Sequence, residues 1–486
     1  MNTSITSDTN GRFDSLFPLP LVPFERFMLA DDRTSHPMTF MIEVVFAGSM
    51  DRDAVQQAVV AAQRRHPLLS ATISSGPRSQ WQLIPSLTTL VCWIDADTAI
   101  WPPAGTYVDL RKEHGLAVWA TIRDGHTRVM FQFHHACCDG LGARTYLTDF
   151  LVAYARSAAS ATERPEWPRL DYEPLRRRGV FGSDSAAGET SSDNPAGTSL
   201  ARKVTDAYAF LWGQLPTPIP RSQPEVASHR HSTRMGTTAL VRPSNHAFSR
   251  AESRRLLDKA DRLGIWINDV AIALLFTTLA SWMQDQQPTL HKGWLRLLMP
   301  TNLRQYSDRR LTATNRMSYS FLARQVGACS DLSALVANIA AETRYLKNAK
   351  PSLDFLMLMS AVQRIPGMLR LFLGMPQCMG TAVLSNLGEG TRHVRRRFPE
   401  RNGNMLVGDV ELRYFIGVPP IRPGTRAAFG LCFTNGHMVL GLRIDHIVGD
   451  ESTAQQLMER YVTAWRDWGE FAASSAYKAE RVSQHR

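Results

Sequence analysis

The sequence predicts an α/β chain of two pseudo-duplicated lobes, each a mixed sheet with flanking helices. Three observations predict it. A strand hairpin followed by an amphipathic helix is readable over residues 117–154, the same pattern returns 311 positions later, and a low-complexity stretch separates the two.

The first hairpin is read from Ala117 to Arg123 and Arg128 to His135, around Asp124-Gly125, a dipeptide that tolerates positive φ. With a period of two, Val129, Phe131, Phe133 and His135 share one face, and Met130, Gln132 and His134 share the other. Beyond Gly140, Leu147, Phe150, Leu151 and Tyr154 recur at helical spacing, so a helix packs back on the sheet. A shift of 311 lays Asp124-Gly125-His126 on Asn435-Gly436-His437, His135 on His446 and Asp139 on Asp450. The helix positions coincide too, falling on Met458, Tyr461, Val462 and Trp465.

The segment from 1 to 16 is polar and reads as a disordered tail. The N-terminal lobe then spans 17–181 and contains a helix from about Asp53 to His66, ended by Pro67. Gly182 to Ser199 is nearly devoid of large apolar groups and opens a crossover linker, 182–237, with a helix expected from Leu200 to Leu215. The C-terminal lobe spans 238–475 and a polar tail follows at 476–486. Within that lobe we expect a long apolar helix from Asn268 through Trp282 and a buried strand at Leu295 to Met299. Pro351 to Met379 reads as Met- and Leu-rich helix broken at Pro366, its methionines filling core gaps or lining an acyl-chain tunnel.

At 486 residues the chain exceeds a single ordinary core, and 44% apolar with 20% charged residues describes a globular protein. No run of about 18 apolar residues and no signal peptide is seen, so cytoplasmic residence without a transmembrane segment is the expectation. Six scattered cysteines lack zinc-ligand spacing, which argues against a disulfide framework or a metal site. The net charge of +11 is spread along the chain, apart from Arg176-Arg177-Arg178 and Arg395-Arg396-Arg397, and no nucleic-acid motif accompanies it. That excess permits attraction to polyanions.

Chemistry concentrates in His134-His135-Ala136-Cys137-Cys138-Asp139-Gly140, on a strand-to-helix loop. An imidazole of pKa near ~6.5 is suited to take and return a proton at neutral pH. Gly140 lets the backbone turn sharply into the helix. Cys137 or Cys138 beside a histidine could instead form an acyl enzyme, although small residues filling variable motif positions explain them more simply. His446 and Asp450 could form a second centre, but that copy has Asp445 and Glu451 where the first has His134 and Gly140, so a structural echo is expected.

This His-His-x-x-x-Asp-Gly pattern resembles the superfamily of chloramphenicol acetyltransferase and the condensation domains of peptide synthetases, with the chain a stand-alone member near the alcohol acetyltransferase and wax ester synthase branches. The resemblance extends through Arg64-Arg65-His66-Pro67-Leu68-Leu69, Gly264 to Val270, Met299 to Arg304 and Ser385-Asn386-Leu387-Gly388. Neither Asp-Phe-Gly-Trp-Gly nor the Pro-Leu-Trp block of particular branches occurs, so no branch supplies the substrate.

The resemblance implies acyl transfer, in an active-site channel between the two lobes, from a coenzyme A or carrier-protein thioester to a small-molecule hydroxyl or amine, with no permanently bound cofactor and no metal. In it the second histidine, His135, is the catalytic base, and Asp139 is structural, pairing with an arginine of the other lobe. Arg304 is the candidate for that arginine, and His134 packs or hydrogen-bonds behind the base. An oxyanion donor is also needed, for which Ser385 or Asn386 is the candidate. Two rival readings keep the same residues: a non-catalytic condensation-like module binding a carrier protein or partner enzyme, and a thioester hydrolase with water as acceptor.

Overall fold

Two tight turns set the architecture. Asp124 and Gly125 adopt φ of 48° and 70°, and Asn435 and Gly436 adopt 51° and 81°, the paired left-handed conformation that matches the twist of a two-residue hairpin. The computed structural model describes residues 13–470 except 14, 77–78, 85–87, 96–101, 103–105, 159–163, 182–213, 222–240, 350–351, 376–377 and 393. The expected helix from Leu200, up to residue 213, most of the crossover, and the tail after 470 lie outside the described residues. At the other end, Phe13 and Leu16 belong to the first core rather than to a frayed tail, because both are apolar and the Phe13 ring packs on Tyr172 at 4.7 Å.

In chain order the first half forms β1 (Leu19–Pro20), α1 (Pro23–Asp31), β2 (Thr39–Ala47), α2 (Arg52–Gln63), β3 (Ala71–Ile73), β4 (Gln80–Leu83), β5 (Val91–Trp93), β6 (Leu116–Arg123), β7 (His126–His134) and α3 (Gly140–Ser157). Then come β8 (Ser244–Ala247), α4 (Arg250–Leu263), α5 (Ile267–Gln286), β9 (Trp294–Asn302), β10 (Met317–Gln325), α6 (Leu332–Ala349), α7 (Ser352–Val362), α8 (Met368–Gly374) and β11 (Ala382–Glu389). The chain closes with β12 (Glu400–Arg401), β13 (Asn404–Val407), β14 (Val410–Val418), β15 (Ala427–Thr434), β16 (His437–Ile444) and α9 (Glu451–Glu470).

A seven-stranded sheet of order β12-β13-β14-β2-β7-β6-β5 and a six-stranded sheet of order β10-β9-β11-β15-β16-β8 carry the two halves, and β1-β4-β3 form a small third sheet. The hairpin β6-β7 with α3 and the hairpin β15-β16 with α9 are the repeated units. Each helix starts on an equivalent cap: Asp139 Oδ1 accepts the Gly142 N–H at 2.8 Å, and Asp450 Oδ1 accepts the Thr453 N–H at 3.0 Å. Each packs aromatic groups on its own sheet, Phe150 on Phe131 at 4.9 Å and Tyr461 on Phe429 at 5.3 Å.

Chain order and sheet membership part company at β14. It comes late in the chain, yet it pairs antiparallel with β2 in the first sheet, Phe415 opposite Val44. Here it also lies against the second sheet, which glycines permit. A Cβ on Gly430 would come within 1.9 Å of the Gly417 carbonyl oxygen, and one on Gly441 within 2.4 Å of it. Contact this close between backbones brings the two sheets together beside the end of β7.

Candidate functional site

His135 follows the last residue of β7, the strand held between β2 and β6. Its backbone N–H donates to the Met38 carbonyl at 2.8 Å, and Asn315 Nδ2 donates to the carbonyls of His135 and Ala136 at 2.8 and 2.9 Å, so the loop after the strand is fixed from both lobes. The imidazole stands edge-on to Phe40, with centroids 5.0 Å apart, and Phe40 stacks on Phe133. Only 6% of the residue is exposed. Burial pulls the His135 pKa below the ordinary imidazole value; its own carbonyl, the Asp139 charge and Asn315 oppose that without prevailing.

The ring borders a cavity of about 60 Å³ between the two sheets. Phe40, Met41 and Ile42 of β2, Met317 and Tyr319 of β10, Val383 and Ser385 of β11, and Gly417 and Val418 of β14 are among its walls. A second apolar cavity of about 40 Å³ shares Tyr319, Val383 and Pro420 with it, and is lined further by Phe27, Phe355 and Phe372.

Asp139 points elsewhere. Arg304 donates Nη1 to its Oδ2 at 2.7 Å and Nη2 to its Oδ1 at 2.9 Å, while the N–H groups of Arg316 and Gly142 donate at 2.8 Å each. These four donors use the acceptor capacity of the carboxylate, and no hydrogen bond reaches the His135 ring. Burial alone would raise the Asp139 pKa; the Arg304 charge and hydrogen bonds, with the two backbone donors, hold it below the usual carboxylate range. Arg304 Nη2 also donates to the Thr314 carbonyl at 2.9 Å, which ties the loop before β10 to the start of α3.

His134 faces the opposite way, into a different cleft. Its Nδ1 accepts the Ala136 N–H at 3.1 Å, so Nε2 carries the proton and donates to Asp32 Oδ2 at 3.2 Å. Asp32 also accepts from Met38 N–H and the Tyr107 hydroxyl. At the equivalent end of β16 the polarity is reversed: Asp445 meets His36 Nε2 at 3.1 Å. The short segment between α1 and β2 therefore supplies Asp32 to one lobe and His36 to the other.

Gly140 belongs to the cavity wall, where a Cβ would fall 2.3 Å from Leu387. Ser385 is on that wall as well. Asn386 is not: its Nδ2 donates to Asn268 at 3.1 Å and its Oδ1 accepts the Gly388 N–H at 2.8 Å. Cys137 and Cys138 are fully buried, absent from the cavity walls, and burial pushes both thiols well above their usual range. His446 is exposed and sits 2.9 Å from Asp445. Sequence reasoning missed Asn315, Arg316, Asp32 and Phe40; none carries a motif, and only their place in the fold brings them to the histidines.

No family model matches the chain. Two curated relatives, uncharacterised proteins of Mycobacterium tuberculosis strains CDC 1551 / Oshkosh and H37Rv, are each 24% identical over 384 residues, covering 76% of this chain and 83% of the relative. Among solved structures, the trichothecene 15-O-acetyltransferase TRI3 of Fusarium sporotrichioides superposes with a TM-score of 0.63 at 11% identity, covering 92% of this chain and 94% of that one. Polyketide synthase associated protein 5 of Mycobacterium tuberculosis gives 0.58 at 14%, covering 93% and 98%. The condensation domain of the monacolin K polyketide synthase MokA gives 0.55 at 13%, covering 93% and 97%.

A mixed-sheet α/β protein of two lobes, with a histidine-lined cavity where they meet, is thereby defined. Its fold is the one shared by condensation domains and the chloramphenicol acetyltransferase-like acyltransferases.

Proposed function

We propose that this chain is an acyltransferase that moves an acyl group from a thioester, carried by coenzyme A or a carrier protein, to the hydroxyl or amine of a small molecule. The observation that carries the reading is the placement of His135, a buried imidazole kept in its basic form on the wall of a cavity between two sheets. Its Nδ1 is sealed in protein, which leaves Nε2 as the working nitrogen. Nε2 takes the proton of the acceptor as its oxygen or nitrogen attacks the thioester carbon. The tetrahedral intermediate collapses with cleavage of the carbon–sulfur bond, and the same proton goes to the departing thiolate. No covalent bond to the protein forms.

The Ser385 hydroxyl shares the cavity wall and is the side chain suited to meet the developing oxyanion. Asp139 and Arg304 act as a brace that presents the loop, not as part of the proton relay.

Incubation with acyl-coenzyme A, with and without alcohols and amines, tests the reading through thiol release and product mass spectrometry. Acceptor-dependent release with an ester or amide product is expected. Equal release without acceptor would mean thioester hydrolysis, and no release from either coenzyme A or carrier thioesters would mean a binding module.

A further inference from the structure

Helices α7 and α8 carry more apolar surface than the interior uses. Their sequences, SLDFLMLMSAV and MLRLFLG, are apolar nearly all round, a composition expected of helices covered on every side. The inner faces are covered: Leu356, Met359 and Leu373 are 7%, 1% and 3% exposed, and Phe355 and Phe372 line the apolar cavity next to that of His135. The outer faces are not. Met357 on α7, Ile365 in the connection, and Met368 and Leu371 on α8 are 49%, 53%, 36% and 66% exposed, four of the ten large apolar residues exposed among the described residues. Such clustering departs from the scattered exposure of ordinary surfaces.

The surroundings of this face are cationic. A groove of about 570 Å³ between α1 and the α7-α8 hairpin is lined by Ile365, Pro366 and Leu369 together with Arg26 and Arg370. The same two arginines line the adjoining cleft of about 470 Å³, which adds Arg33 and Arg111. Of the carboxylates there, Asp32 is engaged by His134, Tyr107 and the Met38 N–H, while Asp109 lies 3.5 Å from Lys112 and 4.0 Å from Arg111. Arg364 lies two residues past the end of α7, and the hairpin itself has a single acid, Asp354.

We propose that the outer face of the α7-α8 hairpin docks on an anionic lipid surface, with Met357, Ile365, Met368 and Leu371 entering the acyl boundary and the arginines facing lipid phosphates. An apolar face rimmed by arginine and nearly free of acids matches the chemistry of such an interface. No single helix among the described residues is long and apolar enough to cross a membrane. A bilayer accounts for both features at once, whereas an acidic protein partner would use the arginines alone.

Flotation of the full chain with phosphatidylcholine vesicles, with or without phosphatidylglycerol, reads this directly and independently of any acyl transfer. At low salt we expect about tenfold more protein with the anionic vesicles, a preference that falls as salt rises. M357E/L371E should return flotation to the neutral-vesicle level with an unchanged thermal melt, since both side chains are exposed, and R364E/R370E should abolish the anionic preference. Wild type that floats with neither vesicle overturns the proposal. So does a dimer in light scattering that M357E/L371E breaks without any flotation, or retention of an acidic carrier protein, lost in R364E/R370E, in place of vesicles.

Discussion

His135 and His446 stand at equivalent ends of two hairpins and meet opposite surroundings. His135 is buried against Phe40 on the cavity wall, while His446 is exposed beside the Asp445 carboxylate. His135→Ala should therefore lower kcat/KM by about 10²- to 10⁴-fold with an unchanged circular dichroism spectrum, and His446→Ala should stay close to wild type. Steady-state thiol release from the two purified variants checks this. Equal losses would assign the chemistry to both copies or to neither.

The Asp139–Arg304 pair has side chains only 4% and 14% exposed, so each charge depends on the other. Asp139→Ala leaves the largely buried Arg304 with the Thr314 carbonyl and Asn302 Oδ1 but no carboxylate, and removes the cap of α3; we expect a cost of about 3–5 kcal/mol in urea unfolding. In a double-mutant cycle, Asp139→Ala and Arg304→Ala together should cost less than the sum of the two by about 0.5–3 kcal/mol. Additive losses would mean that the pair does not act as a brace.

The repeated hairpin and helix were legible in sequence because their cues are local: a positive-φ dipeptide, alternation in the strands, and 3.6-residue spacing after the aspartate. Helices α2 and α5 and the break at Pro366 were legible for the same reason. Long-range pairing was not. Nothing in Val410–Val418 tells that this strand pairs with β2, since its alternation would suit either sheet, and Gly417, Gly430 and Gly441 gain meaning only once their backbones are seen to touch. At the site, His135, Ser385 and Gly140 share one wall, whereas Asn386, one residue from Ser385, points away because successive strand residues face opposite sides. Asn315 and Asp32 reach the two histidines from loops 180 and 102 positions away, a distance no motif encodes.

Close backbone contact between the sheets gives a test of the fold itself. Gly430→Val would place a Cβ 1.9 Å from the Gly417 carbonyl oxygen, an overlap that only movement of β14 or β15 relieves. We expect a loss of at least about 1–3 kcal/mol in urea unfolding, the range for overpacked sites. Gly374→Ala, where a Cβ meets open space and the residue ends a helix, serves as the control and should be near neutral. A Gly430→Val protein as stable as wild type would show that the two sheets are not held this closely.

The burial of His135 fixes the direction of the pH response. Its protonated form is disfavoured in the folded protein, so its folded pKa lies below the ordinary value of about 6.5. The basic form then predominates throughout the neutral range, and activity is lost only as pH falls through the folded pKa. A plot of log kcat/KM against pH should be flat above neutrality and fall on the acid side, with its midpoint below about 6.5. Stability moves in the same direction: between the two pKa values the unfolded chain binds the proton that the folded one refuses. The contribution of this residue is full above about 6.5 and lost as pH falls toward the folded value. His135→Gln, which does not titrate, should lose less stability than wild type over that acid interval in parallel urea titrations. An acid limb centred above 6.5, or identical acid sensitivity in both proteins, would show that His135 is not the buried neutral base described by its surroundings.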